Sequence, residues 1–149
     1  MGEHRYDIDV SWTGATTGYR SYSRDHELAT VGPPPIPGSA DPMIGRGDPN
    51  RWNPEQLFVA ALSSCHMLWY LHLCADAGIV IVEYRDTAFG IMSDTAFTAV
   101  TLRPTVATTS VGRVDDALAL HAEAHTRCFL ANSVNFPVLH QPTVDIRTC

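Results

Sequence analysis

The sequence has little cysteine and lacks the N-terminal features of a secreted protein. Its 149 residues include four cysteines, at positions 65, 74, 128 and 149. The opening residues, MGEHRYDIDV, are charged and alternate in polarity, without the apolar run and small-residue cleavage site of a secretory signal. So few scattered cysteines, without a signal, do not suit a disulfide-stapled secreted fold. We therefore expect reduced thiols and a cytoplasmic protein.

Positive charge is sparse and dispersed along the chain. Ten lysine and arginine residues stand against sixteen aspartate and glutamate residues, and the formal net charge is −6. No stretch concentrates the basic side chains that bind phosphate backbones, so we expect no nucleic-acid partner.

One apolar stretch, residues 57–75 (LFVAALSSCHMLWYLHLCA), is long enough to raise the question of a membrane span. Ser63, Ser64, His66 and His72 interrupt it, and no basic cluster flanks it, so we expect no membrane association. A helix that is apolar on nearly all sides is otherwise enclosed by its own protein or by a partner subunit. The stretch therefore predicts a buried central helix.

The first half of the chain predicts a hairpin, a loop and this long helix. Alternating apolar residues and a GATTG turn indicate a hairpin over residues 5–31. Residues 32–52 are rich in proline and glycine and predict a long loop, packed or flexible. Asn53 is a good N-cap, Gln56 can complete a capping box, and a glycine at position 78 can end a helix over residues 53–77.

The second half predicts a sheet over residues 79–109, with residues 88–93 and 96–109 forming a hairpin around Asp94 and Thr95. A second helix is expected over residues 114–133, amphipathic up to Arg127 and with Cys128 at its end or in a short helix beyond. Residues 143–148 predict a final strand. This order gives the α+β class, a single domain over residues 1–149, with helices against one face of a largely antiparallel sheet.

Two segments resemble a known family. Residues 53–65, NPEQLFVAALSSC, resemble the central-helix motif of the OsmC/Ohr family, the osmotically inducible and organic hydroperoxide resistance proteins. Residues 125–137, HTRCFLANSVNFP, resemble the segment that carries the second cysteine of those proteins. The resemblance implies the OsmC-like fold, in which antiparallel sheets wrap around long central helices in an intertwined homodimer.

The same resemblance implies roles for particular residues. It makes Cys65 the thiol that attacks the peroxide, Cys128 the resolving thiol that forms a disulfide with it, and Glu55 the carboxylate that holds a catalytic arginine. For that arginine it favours Arg46, in the loop before the helix. The next choice is the hairpin, which offers Arg24 and also Arg20.

The implied activity is a thiol-dependent peroxidase that reduces organic hydroperoxides to alcohols without a cofactor. The resemblance implies an external dithiol reductant, either a lipoylated protein or a thioredoxin-like donor. Apolar residues around Cys65 favour alkyl or fatty-acid hydroperoxides as substrates; they include Phe58, Met67, Leu68 and Trp69.

The spacing of Glu55 and Cys65 adds an inference about assembly. Ten helical residues separate them by about 15 Å along the axis, so one straight helix cannot bring both to a single small site. We therefore expect a homodimer in which two antiparallel helices exchange their N-terminal ends to complete shared sites.

Other functions remain open at this point. Cys65 with His72, or the His121 and His125 pair, has a spacing that could hold zinc, although no CxxC or HExxH motif supports a metal site. A protein without peroxidase activity that binds a small hydrophobic ligand is a further alternative. Cys74 and Cys149 are most simply structural or incidental.

Overall fold

The computed structural model describes residues 2–148 of the chain. It divides the chain into two compact units, one ending at Phe58 and the other beginning at Val59. The single domain predicted for residues 1–149 stays a prediction.

The first unit contains a small antiparallel sheet. Its strands are β1 (Asp9–Ser11), β2 (His26–Ala29) and β3 (Ile36–Gly38), in the order β1-β2-β3. The predicted hairpin is present, but its strands are much shorter than residues 5–31 suggested. Arg24 donates hydrogen bonds to the backbone carbonyls of Tyr19 and Tyr22, which draws this segment into an irregular loop instead of a ladder.

The segment expected to be a loop without regular structure, residues 32–52, contains strand β3. The alternation of Ile36 with two prolines hid this strand, because proline cannot donate to a ladder and is confined to edges. Trp52 closes the loop back onto it by donating its N–H to the carbonyl of Pro37 over 3.0 Å. At Gly47 an added Cβ would lie 1.6 Å from the carbonyl oxygen of Ala40, so the loop is tightly packed at that point.

Helix α1 (Pro54–Asp76) has the limits that the sequence predicted to within a residue. Asn53 and Gln56 form a reciprocal capping box, in which the Gln56 N–H donates to Asn53 Oδ1 and the Asn53 N–H donates to Gln56 Oε1. Gly78 has a φ of 68° and ends the helix, with the Ile79 N–H donating to the Cys74 carbonyl in a Schellman arrangement.

By length and hydropathy alone, α1 is the one helix in residues 2–148 that qualifies as a membrane span. Two polar side chains of α1 form hydrogen bonds with other parts of the chain, Ser63 with the Asp86 carboxylate and His66 with His121. The residues of α1 that are buried in the single chain are Leu62, His66, Tyr70, Leu73 and Cys74. These contacts are those of a helix packed within a protein core.

The second unit has two three-stranded sheets. Their strands are β4 (Ile81–Asp86), β5 (Phe89–Ser93), β6 (Ala96–Leu102), β7 (Pro104–Thr108), β8 (Val138–His140) and β9 (Thr143–Ile146). One sheet has the order β4-β7-β9 and the other β5-β6-β8. Strands β8 and β9 join their sheets in parallel, so the expectation of a largely antiparallel sheet is only partly met.

The segment 96–109, expected to be one strand, is two strands in different sheets. At the break, the Arg103 N–H donates to the Asp86 carboxylate over 2.7 Å, and the Arg103 guanidinium donates to the Thr87 carbonyl. Pro104 follows, with no N–H for a ladder. Strand β8 was not predicted at all, because three residues are too few to show a period.

Helix α2 (Val114–Arg127) is followed by a short 3₁₀ helix (Ala131–Ser133), so the helix predicted over residues 114–133 is interrupted. The interruption is Cys128, whose backbone is extended, with φ −66° and ψ 110°. One apolar core joins α1 and α2 to the β4-β7-β9 sheet, and a second joins α1 to β6 and β8. The α+β class is confirmed.

Candidate active site

The Cys65 and Cys128 thiols lie next to each other in the second unit. Cys65 is in the middle of α1 and is half-buried, whereas Cys128 follows the end of α2 and is 1% exposed. The two thiols are close enough for each to affect the ionisation of the other, and neither is in a disulfide. The structure thus brings together two thiols that are 63 positions apart in the sequence (128 − 65).

The surroundings of Cys128 keep its thiol protonated. The pKa of the Cys128 thiol is raised to about 11, chiefly by burial and also by the neighbouring Cys65 thiol, while backbone N–H groups oppose the rise. The Ala131 N–H donates to Cys128 Sγ over 3.5 Å. At neutral pH Cys128 is therefore a protonated thiol, and the more accessible Cys65 is the better placed of the two to act as nucleophile.

Cys74 is the third thiol that the structure describes. It is buried on α1, and burial raises its pKa. It lies beside the Tyr70 hydroxyl within an apolar core, as expected for a structural cysteine. Cys149 lies outside the described residues.

Glu55 lies in the first turn of α1, and its Oε2 atom is buried without a hydrogen-bond partner among the described residues. Glu55 forms no ion pair with any of them. Burying a carboxylate oxygen without a hydrogen bond destabilises the folded protein, so we expect a hydrogen-bond donor to reach this atom.

None of the predicted arginines meets Glu55 within residues 2–58. The Arg24 guanidinium lies 3.7 Å from the Tyr22 ring centroid and donates to two carbonyls, so it is held by its own loop. It lines a cavity of about 410 Å³ with Trp12, Tyr22 and His26. Arg46 and Arg20 are exposed and make no hydrogen bond or ion pair with the described residues, and Arg46 has a positive φ of 61°.

Sequence reasoning missed the role of Arg51 in this region. Its guanidinium lies 3.4 Å from the Asp25 carboxylate and 4.0 Å from that of Asp48. Ser39 joins the same network, donating its hydroxyl to Asp25 and accepting the Asp48 N–H. Arg51 therefore fastens the loop before α1 to strand β2.

Four histidines form a cluster near the two thiols, with His66 and His121 buried and His125 and His140 half-buried. His66 Nε2 and His121 Nδ1 are 3.0 Å apart, and their rings are stacked with an interplanar angle of 7°. His140 stacks on His66, and His125 packs against His140 with the two rings tilted by 35°. The cluster was not foreseen, because the sequence showed His66 only as an interruption of the apolar stretch and paired His121 only with His125. Among the described residues, no group of three or more side chains has the geometry of a metal site.

Burial keeps the two central histidines uncharged. The pKa of His66 is lowered to about 4 by burial and by the charges of His140 and His125. The pKa of His121 is lowered to about 3 by burial and by the charges of His66 and His140. At neutral pH both rings are neutral and can share one proton in their hydrogen bond.

We expect acid to destabilise the protein through these two rings. The ordinary histidine pKa is 6.5, and the folded values are lowered to about 4 and 3. Between these pH values, the two histidines bind protons in the unfolded chain but not in the folded chain. Stability is therefore full above pH 6.5 and falls as the pH drops, by about 2 kcal/mol per ring at pH 5. Urea unfolding at pH 7 and pH 5 measures the loss. A His66→Gln, His121→Asn variant should lose much less over the same range, and an equal loss would contradict the assignment.

Comparison with known proteins adds to this geometry. The sequence model of the family described as OsmC-like protein matches residues 47–141. The structure of an OsmC-like protein of unknown function from Vibrio cholerae O1 biovar eltor str. N16961 has a TM-score of 0.86 and 32% identity, covering 94% of this chain and 99% of that one. A comparison with curated proteins gives no significant match.

More distant structures share the fold. An organic hydroperoxide resistance protein OsmC from Legionella pneumophila has a TM-score of 0.64 and 20% identity, covering 96% of this chain and 99% of that one. An organic hydroperoxide resistance protein from Elizabethkingia anophelis has a TM-score of 0.64 and 21% identity, covering 97% of this chain and 99% of that one.

Proposed function

Because the chain belongs to the OsmC-like protein family, we propose that it is a thiol-dependent peroxidase that reduces organic hydroperoxides to alcohols. The family resemblance read from the sequence motifs is confirmed. Family membership alone does not establish this activity, and the geometry of the site supports it.

The observation that carries the proposal is the contact between the Cys65 and Cys128 thiols. A two-cysteine peroxidase needs one thiol that meets the peroxide and a second that reaches the oxidised sulfur before further oxidation. The half-buried Cys65 suits the first role. The buried Cys128, with its raised pKa, suits the second, since it stays protonated and does not compete for peroxide.

The reaction proceeds in two steps. The Cys65 thiolate attacks one peroxide oxygen, so that an S–O bond forms, the O–O bond breaks, and the alkoxide takes a proton and leaves as the alcohol. The Cys128 sulfur then attacks the Cys65 sulfenic acid, forming the disulfide and releasing water. Two electrons and two protons from an external dithiol restore the thiols, and we propose a lipoylated or thioredoxin-like protein as that donor.

A guanidinium beside Cys65 would favour the thiolate and stabilise the leaving alkoxide. We propose Arg46 for this role before Arg24 and Arg20, with Glu55 as the carboxylate that holds it. The unpartnered Oε2 of Glu55 supports this assignment. Arg46 is also free of other partners among the described residues, whereas Arg24 would first have to leave its two carbonyls.

We propose that the working protein is a homodimer with shared sites. The distance between Glu55 and Cys65 along α1 supports this, as does the exposed apolar surface of a single chain. Leu68 on α1, for example, is 61% exposed, and Phe129 beside Cys128 is 62% exposed. Because a helix that is apolar on nearly all sides is normally enclosed, the exposed Leu68 supports a second chain that covers α1. A cytoplasmic location remains part of the proposal.

The apolar side chains near Cys65 support organic rather than inorganic peroxides as substrates. Met67 and Trp69 are half-buried and Leu68 is exposed, so an alkyl chain would leave water on contacting them. We propose alkyl or fatty-acid hydroperoxides as the substrate class.

The test of the function is to add one equivalent of cumene hydroperoxide to the fully reduced protein and to locate disulfides by mass spectrometry of peptides. We expect cumyl alcohol and a Cys65–Cys128 disulfide in equal amounts. A Cys128→Ala variant should consume one equivalent and accumulate Cys65 sulfenic acid, which a second equivalent would convert to sulfinic acid. Unchanged thiols and intact peroxide would remove the peroxidase assignment and favour a protein that binds a hydrophobic ligand.

A further inference from the structure

The hydrogen bond between His66 and His121 joins α1, which carries Cys65, to α2, which ends directly before Cys128. His66 is the residue after Cys65 on α1, and His121 lies two turns before Cys128 on α2. The two rings are 1% and 0% exposed. The 3.0 Å bond between Nε2 of His66 and Nδ1 of His121 is therefore a polar connection within the apolar contact of the helices.

Among the described residues, neither ring makes any other hydrogen bond. His66 Nδ1 and His121 Nε2 are buried without partners. Losing the bond would leave two further ring nitrogens unpaired away from water, which is costly. The fit of α1 against α2 in this region consequently depends on both imidazoles being present and neutral.

The groups around the pair are themselves uncharged or weakly basic. His140 of β8 stacks on His66, and Tyr70 of α1 stacks on His121 with ring centroids 3.8 Å apart. Tyr84 of β4 packs on Tyr70, and His125 of α2 packs on His140. Among residues 2–148, no carboxylate forms a hydrogen bond or ion pair with any of these four histidines that could stabilise a protonated ring.

We propose that the His66–His121 hydrogen bond positions the two thiols, holding α1 against α2 so that Cys128 stays within reach of Cys65, and that acid releases it. The physical basis is that the bond needs one donor and one acceptor nitrogen. When both rings carry two protons, no acceptor remains, and two positive charges lie 3.0 Å apart in a buried place. His66 and His121 are thus positioning residues, which act through the cysteines and touch no substrate.

The proposal rests on the two-cysteine function for its biological meaning, but its test needs no peroxide. Reduced protein with Cys74→Ala and Cys149→Ala is equilibrated with defined mixtures of reduced and oxidised glutathione. The exchange converts two protein thiols and one glutathione disulfide into the Cys65–Cys128 disulfide and two glutathione thiols. Trapping the remaining free thiols and measuring the fraction of disulfide by mass spectrometry then give the effective concentration of Cys65 at Cys128.

Matched substitutions separate the hydrogen bond from simple packing. Glutamine places an amide at the position of Nε2 and asparagine at that of Nδ1, so His66→Gln and His121→Asn keep the bond and do not titrate. His66→Leu fills similar space without it. We expect His66→Leu to lower the effective concentration about 10- to 100-fold, and His66→Gln and His121→Asn to lower it by less than about threefold.

The dependence on pH gives a second readout that a packing role would not move. Because the lowered pKa values of His66 and His121 are about 4 and 3, the effective concentration in the parent should be flat from pH 7 to pH 5 and fall several-fold only as the pH nears 3, whereas it should stay flat throughout in His66→Gln. The exposed His72, substituted to Leu or Gln on the same helix, should behave as the parent in both respects.

Three results would overturn the proposal: His66→Leu equal to the parent, His66→Gln as impaired as His66→Leu, or the same pH response in the parent and in His66→Gln. If His66→Leu does not fold, the comparison of the parent with His66→Gln still decides. Normal glutathione coupling without peroxide turnover would remove the proposed enzyme function and leave the positioning role intact.

Discussion

Replacing Cys65 with serine should lower hydroperoxide reduction at least about a thousandfold, because no other group would supply the attacking thiolate. The structure describes two further thiols, Cys128 and Cys74, and both are buried with raised pKa values. Neither should replace Cys65 at neutral pH. Loss of cumene hydroperoxide in the presence of dithiothreitol measures the effect.

Two other cysteine variants act as controls for this result. Cys74→Ala should keep activity within about twofold, since its sulfur lies in the core away from the proposed chemistry. Cys128→Ser, assayed without dithiothreitol, should reduce about one equivalent of peroxide rapidly and then become inactive as excess peroxide oxidises Cys65 further. Substantial steady-state turnover by Cys65→Ser would show that the nucleophile is elsewhere.

Mixing two inactive variants should restore activity if the sites are shared between chains. Glu55→Ala removes the carboxylate and Cys65→Ser removes the nucleophile, so a heterodimer of the two has one complete site and one doubly defective site. In an equal mixture that exchanges subunits freely, half of the dimers are mixed, and the recovery should be about a quarter of the parent activity. The assay is peroxide consumption after co-expression or after unfolding and refolding together.

A third variant makes the mixing experiment specific. Glu55→Ala mixed with the double variant Glu55→Ala, Cys65→Ser should show no recovery, since no chain then supplies the carboxylate. Sites built within one chain would give no recovery in either mixture, and a monomer by light scattering would exclude sharing altogether. Full activity of Glu55→Ala alone would show that this carboxylate is not needed, despite its unpartnered buried oxygen.

The parts of the structure that the sequence predicted well are those set by neighbouring residues. The limits of α1 follow from local chemistry, since Asn53 and Gln56 form the capping box and Gly78 takes the left-handed conformation that ends the helix. The hairpin of β5 and β6 follows from Asp94, which has a φ of 54° at the turn. Once the limits of α1 were predicted, the position of Cys65 near the middle of that helix followed.

The parts that failed depend on contacts between distant residues. Strands β3 and β8 have three residues each, too few for a period, and they exist because Trp52 and β6 supply partners for their backbones. The break between β6 and β7 depends on Asp86, 17 residues before Arg103, accepting its N–H. His66 and His121 are 55 residues apart, so no local pattern relates them.

The parallel addition of β8 and β9 has a consequence for how the protein is made. Both sheets of the second unit obtain their third strand from residues 138–146 alone. Until that stretch leaves the ribosome, each sheet is a two-stranded ribbon with an open edge, and ribbons of this kind are only marginally stable in water. Residues 81–137 therefore leave the ribosome before either sheet is complete, which makes their synthesis a period of exposure to aggregation and to chaperones.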